Sequence, residues 1–321
     1  MAKPKMKTDT RTGTVRRRDV LAGLGAAAAL AALPGPFSQP AFGESGGILT
    51  RPMPATGEQV PAIGMGSWIT FNVGADPALR DARAQVLAAF FARGGRMVDS
   101  SPMYGTSEEV IGYCLARVPG ADALFSATKV WTWLRGDGPE QMAESRRLWG
   151  IEGFDLMQIH NLLGWEGHLE TLLADRERGR LRYIGITTSH GRRHEDFEGI
   201  MASQPIDTVQ LTYNIVDREA ERRLLPLAAE RGLAVIVNRP FKRKALFEAF
   251  AGHPLPTWAG EFGAENWAQF FLKFIVSHPA VTCAIPATSR VDHMHENMGA
   301  LHGPLPDSAM RRRMIDHVES L

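Results

Sequence analysis

The sequence predicts a closed barrel of eight parallel strands and eight helices, a (β/α)8 fold, preceded by a short β-hairpin. Eight short apolar segments recur along the 321-residue chain, and segments with helical spacing separate them. This regular alternation is typical of a parallel sheet that is covered by helices. The chain after residue 43 also has the length of one such barrel, since these domains typically run to about 250 residues.

The hairpin is predicted within residues 48–60, where Thr56-Gly57 separates two extended stretches, and it could plug the bottom of the barrel. The expected barrel strands are mostly continuous apolar runs, which indicates burial on both faces. They cover residues 62–66, 96–100, 124–129, 155–160, 183–187, 208–213, 234–238 and 281–286.

Apolar residues at helical spacing predict the helices between these strands. The helices cover residues 77–93, 107–117, 139–149, 167–178, 193–203, 218–231 and 265–278. Gly94 and Gly232 are suitable stop signals for two of them, and Asp217 is suited to cap the helix that starts at residue 218. An open, doubly wound sheet is the alternative fold, but no GxGxxG motif follows the first strand.

The composition of the chain limits the classes of partner that the protein is expected to bind. The formal net charge is +1, so no overall field favours nucleic acid or an anionic membrane. The hydrophobic fraction of 44% is enough for a large core. Cys114 and Cys283 have neither CxxC nor metal-type spacing, so we expect buried thiols rather than a disulfide.

The first 43 residues resemble a signal peptide of the twin-arginine type. Arginines at positions 16–18 precede an Ala- and Gly-rich run over 22–33, and residues 41–43 form a small-x-small cleavage site. A membrane span is the alternative, but this run is shorter than the about 20 residues that a spanning helix needs. The sequence therefore predicts a signal peptide at 1–43 and a barrel domain at 44–321. We expect twin-arginine export to the periplasm and no stable membrane span after processing.

Four polar residues follow three consecutive predicted strands, at the end of a barrel where active sites lie. Asp99 ends the second strand and Tyr104 follows it, Lys129 ends the third strand, and His160 ends the fourth. Each residue alone is more often structural, so their coincidence is what indicates a site.

These four residues suit the reduction of a carbonyl group. Tyr104 would protonate the oxygen, with its pKa lowered by Lys129, while Asp99 would orient Lys129 and His160 would donate a hydrogen bond to the oxygen.

These segments resemble the motifs of the aldo-keto reductase family. The similar stretches are 98–105 with 108–112, 126–130, 155–160, 183–187, 208–210 and 285–297, within a match from about residue 48 to residue 301. The resemblance implies an enzyme that binds NADP(H) across the barrel mouth. Its reaction would be reduction of an aldehyde or ketone to an alcohol, or the reverse oxidation, with Tyr104 as the general acid.

The resemblance also implies the residues that hold the cofactor. They are Thr187, Thr188, Gln210 and Asn238 around the nicotinamide, Thr288, Ser289 and Arg290 near the adenosine phosphate, and Glu296 and Asn297 near the adenine. Several positions depart from the family pattern: Thr188 replaces a usual Asn, Asn238 replaces a frequent stacking aromatic, and Ala287 and His293 replace basic residues. Phe241 could supply the stacking, and Lys242 or Arg243 could join Arg290 at the 2′-phosphate. NAD(H) stays open as the cofactor.

Three tryptophans in the loops after the third and fourth strands could form the wall of an apolar substrate pocket or pack within their loops. They are Trp131, Trp133 and Trp165.

Two other functions stay open for the protein. One is a non-catalytic NADP(H)-binding barrel that serves as a redox sensor or partner subunit. The other is a hydrolase with a metal at Asp99 and His160, for which the strand ends offer no further His or Glu cluster.

Overall fold

A computed structural model describes residues 47–321, so the predicted signal peptide at 1–43 lies outside the described residues. The described part starts with the predicted hairpin, in which β1 (Thr50–Pro52) pairs antiparallel with β2 (Gln59–Pro61). Gly57 lies in the turn with a φ of +76°, a conformation that glycine adopts without steric cost.

Eight parallel strands follow in sequence order around a nearly closed barrel, which confirms the predicted fold. Their bounds agree with the predicted segments to within a few residues. They are β3 (Met65–Gly66), β4 (Met97–Asp99), β5 (Phe125–Val130), β6 (Phe154–Ile159), β7 (Leu181–Thr187), β8 (Thr208–Thr212), β9 (Ala234–Asn238) and β10 (Cys283–Ala284).

The barrel closes between its first and last strands through the isolated parallel bridges Ile63–Ala284 and Gly66–Ala287. The two backbones come very close at this seam. A Cβ on Gly66 would lie only 2.9 Å from the carbonyl oxygen of Ile285. A residue without a side chain is therefore required where the barrel closes.

Helices cover the outside of the barrel, and each of the seven predicted helices has a counterpart. The helices are α1 (Pro77–Ala92), α2 (Ser107–Leu115), α3 (Gly138–Trp149), α4 (Trp165–Glu177), α5 (His194–Ser203), α6 (Leu224–Arg231), α7 (Ala245–Phe250), α8 (Trp267–Val276), α9 (Val291–Gly299) and α10 (Ser308–Ser320). The sequence analysis did not predict α7, α9 or α10.

The prediction for α6 was wrong at its start. The helix begins at Leu224 rather than at residue 218, and residues 219–221 form a separate 3-10 turn. Pro226 is the physical reason, because it has no N–H and its ring crowds the carbonyl one turn earlier, so it is tolerated only in a first turn. Asp217 does not cap the helix and instead forms a backbone bridge with Asn214.

The hairpin closes the amino end of the barrel. Its residues Met53 and Val60 are fully buried in one cluster with inward-facing residues of the strands, including Phe125 and Tyr183. The Tyr183 hydroxyl lies 2.6 Å from Thr56 Oγ1. The barrel is thus filled and plugged at this end, which leaves the opposite end for a binding site.

Two further observations concern the described residues as a whole. Within residues 47–321, no helix is both long enough and apolar enough to cross a membrane. Cys114 and Cys283 are buried free thiols, as the sequence analysis expected.

Candidate active site

A buried ion pair lies at the carboxyl ends of β4 and β5. Lys129 Nζ donates to Asp99 Oδ2 at 2.6 Å and to the backbone carbonyl of Ser100 at 2.7 Å. The two side chains are 0% and 3% exposed. Burial lowers the pKa of Lys129, and the charge of Asp99 opposes that shift by stabilising the ammonium.

Two amides complete the surroundings of Asp99. Gln158 of β6 and Gln210 of β8 each donate an Nε2–H to Asp99 Oδ1 at 2.9 Å, and Gln210 also donates to Gln158 Oε1 at 3.2 Å. The carboxylate is therefore held on both oxygens, by the ammonium on one and by the amides on the other. Charge-assisted bonds of this kind fix geometry more firmly than neutral ones.

Tyr104 reaches the site from a short 3-10 turn, Pro102–Tyr104, directly after β4. The Ser101 side chain caps this turn by accepting a hydrogen bond from the Met103 N–H at 3.2 Å. Gly105 then turns the chain with a φ of +63°, where a Cβ would meet Asn72 Oδ1 at 2.5 Å. The local sequence thus holds the tyrosine on a tight, capped turn.

The expected effect of Lys129 on Tyr104 was wrong. Burial raises the pKa of the Tyr104 hydroxyl, and the negative charge of Asp99 raises it further. Lys129 Nζ lies 5.4 Å from the centroid of the Tyr104 ring, and its hydrogen bonds go to Asp99 and Ser100. Because the ammonium is neutralised by Asp99, Tyr104 stays protonated at neutral pH.

His160 faces Tyr104 across the site. Their rings meet edge to face, with centroids 5.8 Å apart and an interplanar angle of 89°. His160 Nδ1 lies 2.8 Å from Ser101 Oγ. Burial, together with the nearby charge of Lys129, lowers the pKa of His160 to about 3. The imidazole is therefore neutral over the physiological pH range.

A cavity of about 450 Å³ opens above these residues. Tyr104, His160 and Asp99 line it, while Lys129 lies beneath Asp99. Four of the predicted cofactor residues also line the cavity, namely Thr187, Thr188, Gln210 and Asn238. Phe241, the candidate for stacking, is a lining residue as well.

Several of these lining side chains already bond to the protein. Thr188 Oγ1 donates to the Arg192 carbonyl at 2.5 Å, and Thr187 Oγ1 accepts from the Asn161 N–H at 3.0 Å. Asn238 donates to the Thr188 carbonyl at 2.9 Å. These groups therefore shape the cavity wall, and the bonds fix their orientation.

The structure does not bring the other five predicted cofactor residues into the cavity. Thr288, Ser289, Arg290, Glu296 and Asn297 lie after β10 and along α9, outside the lining. Arg290 is engaged by a carboxylate: its Nε donates to Asp292 Oδ1 at 3.0 Å, and a second contact joins Nη2 to Oδ2. In this conformation the guanidinium is already paired.

The three tryptophans also lie outside the lining of this cavity, which favours packing within their loops over a substrate wall. Trp133 is 72% exposed and Trp131 is 41% exposed. The loop after β5 turns toward α3, where Gln141 bonds both the N–H and the carbonyl of Trp131. Trp165 is the first residue of α4 and packs partly buried against the core.

A group of basic residues lines the cavity, and of these only Arg243 was predicted from the sequence. They come from the loops after β7 and β9 and are His190, Arg192, Arg239, Arg243 and Lys244. Among residues 47–321, none of the three arginines or the lysine forms a salt bridge with a carboxylate. The run 239–244, which holds four basic residues in six, was the signal in the sequence.

These basic residues determine the net charge of the cavity. Asp99 is the sole acidic residue in its lining, and Lys129 neutralises it. The cavity therefore carries net positive charge and suits an anionic ligand. Within the described residues, no cluster of three or more His, Cys, Asp or Glu side chains is placed to hold a metal ion.

Comparison with known proteins agrees with this architecture. The sequence profile of the Aldo/keto reductase family matches residues 62–316, and the chain belongs to this family of oxidoreductases. The methylglyoxal reductase YeaE of Escherichia coli is 25% identical over 270 residues, which are 80% of this chain and 90% of the relative. The aldo-keto reductase yakc [NADP(+)] of Schizosaccharomyces pombe is 24% identical, over 82% and 90% of the two chains.

Solved structures are similar over most of their length. An aldo/keto reductase from Klebsiella pneumoniae, in complex with NADP and acetate, has a TM-score of 0.68 at 24% identity and covers 82% of this chain and 92% of its own. The thermostable aldo-keto reductase Tm1743, in complex with the inhibitor epalrestat, has a TM-score of 0.66 at 26% identity and covers 84% and 99%.

Proposed function

We propose that this protein reduces an aldehyde or ketone to an alcohol with NADPH, and that Tyr104 is the general acid. The observation that carries the proposal is the pair of hydrogen-bond donors in one cavity. The Tyr104 hydroxyl has no protein partner among the described residues, and His160 lines the same cavity with one ring nitrogen bonded to Ser101. Both groups can donate to one carbonyl oxygen.

The cavity fits the cofactor through its charge. NADP(H) carries a diphosphate and a 2′-phosphate, and the arginines and lysine at the mouth have no competing carboxylate among the described residues. Arg192, Arg243 and Lys244 would hold the diphosphate, since planar guanidinium groups suit phosphate oxygens. The NADP named in the Klebsiella complex and in the fission yeast relative supports this choice.

The residues then divide the reaction between them. When bound, NADPH supplies the hydride that reduces the carbonyl carbon. Negative charge develops on the oxygen, where His160 and Tyr104 donate hydrogen bonds. Tyr104 passes its proton to the oxygen, and Lys129, 5.4 Å from the centroid of the ring, offsets the charge of Asp99 that would otherwise oppose formation of the tyrosinate. Asp99 keeps Lys129 charged and in place.

The substitution Tyr104→Phe tests the proposal. It removes one oxygen and almost no volume, so folding and cofactor binding should persist. Loss of general acid catalysis should lower kcat by about 10²–10⁴-fold. The substrate panel should include methylglyoxal, because the E. coli relative is named a methylglyoxal reductase, together with aromatic aldehydes and quinones. Equal turnover by wild type and Tyr104→Phe would refute the role of Tyr104.

A non-catalytic NADP(H)-binding barrel is the alternative function. It is motivated by the departures at Thr188 and Asn238, whose polar groups bond to the protein. Tight NADPH binding by the wild type, with no turnover of any carbonyl in the panel, would favour a sensor or partner subunit.

We also propose that the chain is exported by the twin-arginine pathway and acts in the periplasm. The support is that a group of arginines, a mildly apolar run and a small-x-small site follow one another within residues 1–43. Such a passenger crosses the membrane folded, which would allow it to carry a cofactor that was bound in the cytoplasm.

A further inference from the structure

Ser101 lies close to both proposed hydrogen-bond donors, Tyr104 and His160, but is not itself a donor to the substrate. Its side chain is fully buried at the end of β4, next to the 3-10 turn that carries Tyr104. Its oxygen lies 3.2 Å from the Met103 nitrogen and 2.8 Å from His160 Nδ1. The hydroxyl therefore contacts both the turn of the general acid and the imidazole.

The direction of the Ser101–His160 hydrogen bond follows from counting protons. A serine hydroxyl donates one hydrogen bond and accepts two. Because the Met103 N–H can only donate, it uses one acceptor site of the hydroxyl. His160 Nδ1 is the one remaining partner of Ser101 Oγ among the described residues. The hydroxyl proton must therefore go to Nδ1, since the opposite direction would leave a buried donor unpaired.

A neutral imidazole carries one proton. If Nδ1 accepts from Ser101, that proton is on Nε2, which has no hydrogen-bond partner among the described residues. We propose that Ser101 is a positioning residue that holds His160 as the neutral Nε2–H tautomer, with this N–H available to the carbonyl oxygen of the substrate. The inference rests on the proposed reduction for its catalytic consequence but not for the tautomer itself.

The surroundings of the imidazole support this assignment. The nearby Lys129 ammonium and burial both disfavour a second proton on the ring, and they lower the pKa of His160. A neutral ring can donate to the substrate from only one nitrogen, so the tautomer decides whether the substrate meets a donor or an acceptor. Ser101 thus determines the function of His160 without touching the substrate.

The tautomer can be measured without substrate or cofactor. The ¹⁵N chemical shifts of the His160 ring distinguish a protonated nitrogen from a bare one. We expect a bare Nδ1 and a protonated Nε2 in the wild type, and a mixture of tautomers in Ser101→Ala. A protonated Nδ1 in the wild type, or an unchanged spectrum in Ser101→Ala, would overturn the proposal.

Kinetics provide the second readout. Loss of one neutral hydrogen bond is worth about 0.5–1.5 kcal/mol, so Ser101→Ala should lower kcat/KM by up to about tenfold. Ser101→Thr and Ser101→Val form a matched pair of equal shape that differs in the hydroxyl. Ser101 is extended, with a φ of −166°, which suits both β-branched side chains. Threonine should retain the activity and the wild-type spectrum, and valine should show the reduced kcat/KM and the mixed tautomers expected for Ser101→Ala.

A double-mutant cycle separates the two contacts of Ser101. If Ser101 acts through His160, Ser101→Ala should change kcat/KM by less than twofold in a His160→Ala background. A full tenfold loss in that background would show that the serine acts through the turn of Tyr104, and the proposal would be wrong. If the wild type reduces no carbonyl, the proposed function fails, while the ¹⁵N spectrum still decides whether Ser101 sets the tautomer.

Discussion

Replacing Lys129 with methionine should be strongly destabilising, because it leaves a carboxylate buried without its cation. The side chains of Lys129 and Asp99 are 0% and 3% exposed and lie 2.6 Å apart. Asp99 would keep the two amide donors from Gln158 and Gln210 but lose the cation that pairs with it within residues 47–321. Breaking such a pair by removing one partner typically costs about 3–5 kcal/mol. That is a large fraction of the about 5–15 kcal/mol that usually separates the folded from the unfolded state.

Urea unfolding of the barrel domain measures this free energy. The matched control is Arg147→Met, which breaks the exposed pair Arg147–Glu144, with side chains 69% and 49% exposed. Exposed pairs contribute about 0–1 kcal/mol, so the control should unfold close to the wild type. The double variant Lys129→Met with Asp99→Asn should recover much of the lost stability, since the carboxylate of the broken pair is then replaced by a neutral amide.

Two results would refute this reasoning. One is a cost for Lys129→Met no larger than that for Arg147→Met. The other is a double variant as unstable as Lys129→Met alone. The same variants also bear on catalysis, because Lys129→Met and Tyr104→Phe act on one proton transfer. Their effects on turnover should be far from additive, as for groups that work as a unit.

Three further outcomes are expected. The kcat/KM for carbonyl reduction should be flat between about pH 5 and 9, because the His160 pKa is lowered to about 3 and the Tyr104 pKa is raised; a bell-shaped profile centred near pH 7 would contradict this. In fluorescence titrations, Arg243→Ala should weaken NADPH and NADH binding alike by about tenfold, since a charged contact is worth about 1.5–3 kcal/mol. If Arg290 exchanges Asp292 for the 2′-phosphate of NADPH, Arg290→Ala should weaken only NADPH binding, and equal weakening of both cofactors would show that it does not contact the 2′-phosphate. Protein recovered from the cell envelope should begin near residue 44, and an N-terminal sequence that retains residues 1–43 would count against export.

The barrel could be predicted because its signals are local. Runs such as 234–237 are apolar throughout, as strands must be when helices cover one face and other strands the other. The same topology explains why the candidate site could be found. Once the strands are parallel, residues at consecutive strand ends such as Asp99, Lys129 and His160 must converge on one mouth.

The missed features depend on contacts between distant parts of the chain. The helix α10 has few buried apolar residues, and Arg311 holds it in place. Arg311 bonds Glu221 at 3.0 Å and Ser277 at 2.8 Å, and its guanidinium lies 4.1 Å from the centroid of the Phe274 ring. Neither the partners nor their distances can be inferred from residue types alone. The loop after β5 takes Trp133 away from the cavity, and its direction likewise depends on contacts that residue types alone do not reveal.

The acidity of Tyr104 is the most instructive of these differences, because the residues were correct and the sign of the pKa shift was not. A lysine near a tyrosine lowers the tyrosine pKa only if its charge is not already matched by a closer carboxylate. Here Asp99 lies 2.6 Å from Lys129 Nζ, and the pair presents little net charge to the hydroxyl. Burial then dominates and raises the Tyr104 pKa.

The raised pKa has opposite consequences for the two directions of the reaction. Reduction requires a protonated Tyr104, which is the form present at neutral pH, whereas alcohol oxidation requires the tyrosinate as a base. Because the tyrosinate fraction grows tenfold per pH unit below the pKa, oxidation of an alcohol with NADP⁺ should accelerate by up to about tenfold per unit between pH 7 and 9. Reduction should stay constant over the same range. An oxidation rate that levels off below pH 8 would show that the bound cofactor lowers the Tyr104 pKa substantially, and the preference for reduction would then have to come from another source.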